Sequence, residues 1–433
     1  MKNLSALFSI LLLFHSCRHE DRTNKSLESS VPENVGISSA KLAYIDSLVN
    51  TYITENKFPG GVFMILRRGK IVYYKNFGQR SIVTGEPYRK DDIFRIASMT
   101  KAVTTVAVMQ LYEQGKLGLD DPVSKFIPAF NNSRVLDQFN PDDSSYTSIP
   151  SQKPVSIRHL LTHTSGLAYG KSRPGHIFAA YAKLGFGSGS GLSHPKWTTA
   201  QLVDKIAKLP LAFNPGDRYL YGFSMDVLGR VVEVVSGMTL SEYFQQNIFD
   251  PLEMNDTHFY LPKDKYQRLV PIYDYSGQEM IMYREDPGSK VSRDYPKFAD
   301  AQCYCGGGGL SSTAIDYAKF LQSLLNTPGN VSILGSKTIG LMTSDQFAEL
   351  NAKGKGMNNK IGVSHCLGFA LTTRTGTDAK SPGSYEWGGA FSTKFFVDPR
   401  EELIFVGMSQ AIPRYHQEFY GKMTSIIYGA ISD

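Results

Sequence analysis

The first regular pattern lies at 38–56, where Leu42, Ile45, Val49 and Tyr52 recur at three- and four-residue intervals. That period places them on one face and predicts an amphipathic helix, which Pro59-Gly60 stops. The pattern then changes. Gly61-Val62-Phe63-Met64-Ile65-Leu66 and Ile71-Val72-Tyr73-Tyr74 flank Arg67-Arg68-Gly69-Lys70, which predicts two antiparallel strands joined by a tight turn. Helical spacing resumes at Met99, Ala102, Val103 and Val106, and Gly115 sits where a helix C-cap belongs, so a helix of about four turns is expected. A helix, a hairpin and a second helix point to α+β organisation.

From 116 to about 300, helical segments alternate with loops rich in Pro, Gly and Ser at 140–155 and 185–198. This stretch reads as a mainly helical lobe. The run Phe186-Gly187-Ser188-Gly189-Ser190-Gly191 lacks the strand-to-helix context of a phosphate loop and is expected to be surface loop. A helix over 314–325 precedes β-rich segments at 366–373, 390–397 and 402–409 and a closing helix over 414–431. The expectation is one antiparallel sheet flanked by helices, its strands drawn from 37–115 and 300–430, with the helical lobe of 116–300 inserted between them.

Composition narrows the class. At 433 residues with 42% hydrophobic and 20% charged side chains, the chain can bury a sizeable core and is not a disordered polymer. A net charge of +6 without any Lys/Arg run of five gives no nucleic-acid footprint. The N-terminus differs in kind. Lys2, a mostly apolar stretch from Leu7 to Phe14, His15-Ser16-Cys17 and the charged run Arg18-His19-Glu20-Asp21-Arg22 read as an export signal over 1–16. Cys17 after a small residue resembles a bacterial lipoprotein signal, which implies acylation of Cys17, a polar tether over 17–36, a bacterial membrane partner and a place in the periplasm or at the outer membrane. Without Cys17, the three remaining cysteines, Cys303, Cys305 and Cys366, are too few for a disulfide framework and read as small buried hydrophobes.

The candidate chemistry centres on Ser98-Met99-Thr100-Lys101, where hydroxyl and amine lie three residues apart on one helix face. A serine hydroxyl is a weak nucleophile until a base takes its proton, and a free lysine, with a pKa of about 10.4, is protonated at neutral pH, so the pair needs a desolvated site. Asn214 opens a loop that brings Tyr221 to the start of a helix beginning near Asp226, where a phenol can share in proton traffic. Trp387-Gly388-Gly389-Ala390 opens the 390–397 segment, and its glycines allow a backbone edge to approach a substrate. His159 and His163, four apart, lack the glutamate of a zinc-binding H-E-x-x-H helix and read as a structural helix end.

Taken together, Ser98-x-x-Lys101, Leu160-Leu161-Thr162-His163-Thr164-Ser165-Gly166-Leu167, Pro215-Gly216 to Tyr221, Ile248-Phe249-Asp250-Pro251-Leu252-Glu253-Met254, Gly307-Gly308-Gly309-Leu310-Ser311-Ser312 and Trp387-Gly388-Gly389 resemble the serine β-lactamase and penicillin-binding-protein superfamily. The likeness spans about 35–430 and points to the class C-like branch with its family VIII carboxylesterases, D-amino-acid peptidases and lovastatin-type acyltransferases. It implies a β-lactamase-like fold over 37–430, Ser98 as nucleophile, Lys101 as base and Tyr221 as partner acid/base. It also implies an oxyanion hole from the N–H groups of Ser98 and Ala390, with Gly389, Gly388, Trp387 and Phe223 at the substrate. Phe223 and Trp387 stand where lactamases and peptidases carry Asn or Ser and Lys or His, so the polar grip on a substrate amide is missing. The expected function is therefore an exported serine carboxylesterase that works through an acyl-enzyme on small acyl esters, with neither cofactor nor metal. The alternatives are a β-lactamase or D-Ala-D-Ala carboxypeptidase or D-aminopeptidase on amides, and a non-catalytic penicillin-binding-like protein.

Overall fold

Alternate residues of the strand Gly60–Arg67 face two different cores, and this makes it the centre of the molecule. Val62, Met64 and Leu66 pack with Ala102, Val103 and Val106 of the helix Thr100–Glu113. Phe63 and Ile65 pack with Leu42, Ile45 and Val49 of the helix Ser39–Thr54 and with Phe419, Met423 and Ile427 of His416–Gly429. Both faces are covered, which is why the strand reads as an unbroken apolar run. The computed structural model describes residues 27–169, 175–186, 197–285, 291–325, 331–357, 362–374 and 379–433.

The main sheet runs in the order Glu28–Ser29, Lys70–Ser81, Gly60–Arg67, Leu403–Met408, Thr393–Asp398, Tyr385–Gly389, Ala370–Thr372 and Val363–His365. Every neighbouring pair on this path is antiparallel except the first. Gly60–Arg67 pairs with Leu403–Met408, so residues from the two ends of the chain meet at the middle of the sheet. The fold is α+β, a mainly antiparallel sheet with helices packed on both faces, as the sequence predicts.

Several sequence expectations change in detail. The 140–155 stretch, expected as loop, carries half of a hairpin, Arg134–Phe139 with Tyr146–Pro150, turned by Asn140-Pro141-Asp142-Asp143. A second hairpin, Tyr273–Ser276 with Glu279–Met282, also lies in the stretch read as mainly helical. Trp387-Gly388-Gly389 does not open a strand. It closes Tyr385–Gly389, and Ala390 sits in the turn that leads to Thr393–Asp398. The glycines mislead because their close approach to neighbouring backbone happens inside a strand rather than beside one. Residues 1–26, with Cys17, lie outside the described residues, as does 187–196. No described helix is long and apolar enough to cross a membrane.

Candidate active site

Ser98 lies in a single 3-10 turn, Ala97–Met99, that runs directly into the helix Thr100–Glu113. First-turn N–H groups have no acceptor within their own helix, so the Ser98 amide belongs to the set that can face a ligand. The turn is locked from behind. Tyr317 Oη donates to the Met99 carbonyl at 2.9 Å, and Thr100 Oγ1 accepts from Leu310 N–H at 3.0 Å. Ala97 is held at φ +43°, a left-handed conformation that costs energy for a residue with a Cβ and that tends to occur at functional turns.

Lys101 follows one turn later and is wholly buried, at 0% exposure. Its Nζ donates to the Gly307 carbonyl and stands 3.3 Å from Ser98 Oγ and 3.3 Å from Tyr169 Oη. The glycine run that supplies this carbonyl is wedged between two helices. Thr104 Oγ1 donates to the Gly306 carbonyl at 2.8 Å, and Gly307 N–H donates to Asp226 Oδ1 at 3.1 Å. A Cβ on Gly306 would lie 2.5 Å from the Met225 carbonyl, and one on Gly307 2.6 Å from Asp226 Oδ2, so only glycine fits.

Tyr221 comes from the loop ahead of the helix Ser224–Ser236. That loop is laid along the 163–168 segment: Gly216 N–H donates to Thr164 O at 2.8 Å, and Leu220 N–H to His163 O at 2.8 Å. The phenol is thereby aimed at the nucleophile, with Tyr221 Oη donating to Ser98 Oγ at 2.7 Å. The Lys101 Nζ also sits 4.7 Å from the centre of the Tyr221 ring, so hydroxyl, amine and phenol form one compact cluster.

The strand Tyr385–Gly389 reaches this cluster end-on. Trp387 packs on Tyr221 with ring centres 5.9 Å apart, and Gly389 lies against the Ile96 carbonyl, where a Cβ would collide. Gly388 faces the other way, toward His416. Ala390, the next residue along, is exposed in its turn. Phe223 behaves differently from the expectation of a cleft wall. It is 2% exposed, its ring 4.7 Å from that of Tyr169 and 5.6 Å from that of Phe186, so it backs Tyr169 rather than meeting solvent. Its place at the buried start of a helix, hidden under another aromatic, explains the difference.

His159 and His163 part company. His159 Nδ1 accepts the Ser156 N–H at 3.2 Å in a capping box, whereas His163 is buried against Tyr221. Burial lowers the pKa of both, and His163, beside His365 and Lys101, falls well below the ordinary histidine range. Sequence reasoning passed over three participants: Tyr169 and the Gly307 carbonyl on Lys101, and His365 behind His163. A backbone carbonyl has no side-chain signature, and neither tyrosine nor histidine alone marks a site. The remaining cysteines are buried and free.

A half-buried serine and a buried lysine thus stand at the head of a core helix, beneath a sheet closed from both chain ends, and solved structures share the fold that holds them. EstCE1, a hydrolase with promiscuous acyltransferase activity, superposes with a TM-score of 0.77 at 25% identity, over 90% of this chain and 99% of its own. The chain is a serine hydrolase. Its residues 45–419 match the β-lactamase family profile, and it belongs to that family. The lovastatin esterase of Penicillium rubens is 31% identical over 389 residues, 85% of this chain and 92% of its own. Esterase EstB of Burkholderia gladioli is 29% identical over 377 residues, 85% and 90% respectively.

Proposed function

We propose that this serine hydrolase is a carboxylesterase for small acyl esters that works through an acyl-enzyme on Ser98. The observation that carries the reading is the reach of Ser98 Oγ to both Tyr221 Oη at 2.7 Å and Lys101 Nζ at 3.3 Å. The Ser98 proton passes to the Lys101–Tyr221 pair as Oγ bonds to the ester carbonyl carbon. The resulting oxyanion is met by the N–H groups of Ser98 and Ala390. Collapse breaks the carbon–oxygen bond of the alcohol, which leaves with a proton returned through Tyr221. Water then repeats the sequence and frees the acid. An ester requires no grip on a substrate amide, which suits Trp387 at the strand end and Phe223 out of the cleft. The relatives named as esterases support the same choice. Export and acylation of Cys17 belong to this proposal and place the enzyme at the cell envelope.

The test is covalent labelling by a fluorophosphonate, with kcat/KM for p-nitrophenyl butyrate beside a chromogenic cephalosporin. Labelling that is lost in Ser98→Ala, and an ester preference of at least about a hundredfold, or about 2.7 kcal/mol in the transition state, are expected. Equal or better lactam turnover would replace the esterase reading with that of a lactamase, and labelling that survives in Ser98→Ala would remove the nucleophile.

A further inference from the structure

Behind Tyr221, four rings close a circuit. Ring centres are 4.8 Å apart for His163 and Tyr221, 6.1 Å for His163 and His365, 5.7 Å for His365 and Trp387, and 5.9 Å for Trp387 and Tyr221. Tyr219 stands edge-on to His163 at 6.0 Å, and Phe347 stacks on His365 at 5.2 Å, so the circuit is packed from outside as well.

His163 is the member that needs an explanation. It is 1% exposed, and neither ring nitrogen has a hydrogen-bond partner among the described residues. A buried polar ring without partners is costly, and its N–H finds only the weak attraction of neighbouring ring faces. The backbone adds strain, since His163 sits at φ +54°. Such a placement persists only where the surroundings impose it. They do so through the Tyr221 loop, because the His163 carbonyl holds the N–H of Leu220, one residue before Tyr221. The groups facing the imidazole are Lys101, Tyr221, Tyr219 and His365. Burial keeps the imidazole uncharged, so it adds no cation beside Tyr221. A ring with no hydrogen-bonded neighbour has no route by which to pass a proton. What it supplies is a surface.

We propose that His163 is a positioning residue: its ring, backed by His365, holds the Tyr221 phenol on Ser98 by shape and takes no part in the proton traffic. The inference rests on the reading of Tyr221 as the proton partner of Ser98. His365 and Trp387 meet because their strands flank Ala370–Thr372, with His365 opposite Ala370 and Ala370 opposite Glu386.

The experiment measures kcat and KM for p-nitrophenyl butyrate, with melting temperature as a check on folding, in wild type, His163→Ala, His163→Phe, Tyr221→Phe and the double variant Tyr221→Phe/His163→Ala. His163→Ala lowers kcat by about 30-fold, within the range expected when a reacting group is misplaced by about 1 Å, and leaves KM within about twofold. His163→Phe refills the ring, restores kcat to within about fivefold of wild type and leaves the pH profile unmoved, since no partner of a ring nitrogen is lost. In the double variant, kcat falls no further than in Tyr221→Phe alone. His163→Phe as slow as His163→Ala in a folded protein overturns the proposal, and so do additive losses in the double variant. The double variant decides even if His163→Phe does not fold. Wild-type kcat in Tyr221→Phe identifies a separate failure, that of the Tyr221 reading itself, and the proposal falls with it.

Discussion

Gly306→Ala probes the link between the glycine run and the lysine. The added methyl would stand 2.5 Å from the Met225 carbonyl and 3.3 Å from the Gly229 Cα, both backbone atoms of the helix Ser224–Ser236. Ordinary contact begins near 3.4 Å, and no side-chain rotation relieves a clash between main chains, so the 305–309 segment must move by about 0.9 Å. The motion carries the Gly307 carbonyl off Lys101 Nζ and loosens the Thr104 hydroxyl from Gly306 O. Misplacement on that scale costs about a hundredfold in turnover, and overpacking removes about 1–3 kcal/mol of stability. The assay is kcat/KM for p-nitrophenyl butyrate together with urea unfolding. Gly340→Ala is the control: it lies in the helix Ser336–Met342 with open space around the new methyl, and it should leave turnover unchanged while adding up to about 1 kcal/mol of stability. Full turnover in a folded Gly306→Ala would refute the claim that this carbonyl fixes the lysine.

Other outcomes follow from the same geometry. Lys101→Ala should be nearly as inactive as Ser98→Ala, because members of a proton-transfer unit do not contribute additively, and Tyr221→Phe should lose about a hundredfold in kcat; both are read by steady-state ester hydrolysis. Burial lowers His365 from 6.5 to about 4, so the unfolded chain takes up its proton first as pH falls. The stability that His365 contributes is whole above pH 6.5 and is lost on acidification toward 4, and His365→Phe should flatten the melting temperature across that interval. Glu386, held down to about 2 by Lys394 and Lys380 against the opposing effect of burial, contributes above its unfolded range and loses that contribution between about 4.5 and 2. Glu386→Gln should remove that part of the acid loss. Cys17→Ser should release the protein from the membrane fraction, and a wild type found wholly soluble would argue against acylation.

The elements near the start of the chain were readable because each has one dominant face or two covered ones. Leu42, Ile45, Val49 and Tyr52 are all buried on one side of their helix, and Gly60–Arg67 is apolar up to its last residue because a core lies on either side. The hairpin Arg134–Phe139 with Tyr146–Pro150 escaped notice because most of its residues meet solvent and no alternation survives. Tyr385–Gly389 was hidden by its own glycines, which serve close packing inside the strand. At the site, Ser98, Lys101 and Tyr221 were visible because each sits in a compact local motif. Tyr169, His163 and His365 are brought together only by tertiary packing, and the oxygen that Lys101 donates to is a main-chain atom with no letter in the sequence.

The pairing of Gly60–Arg67 with Leu403–Met408 sets an order on the birth of the enzyme. A chain still lacking its last few dozen residues has the nucleophile helix, the lysine and the tyrosine loop, yet no central strand to join its first hairpin to the strands that carry Trp387 and His365. Loop closure over such a span is slow and must precede the contacts that reward it. Activity should therefore appear in one late step rather than by degrees, and a ribosome-bound or truncated chain that ends before residue 403 should neither resist protease nor label with a fluorophosphonate.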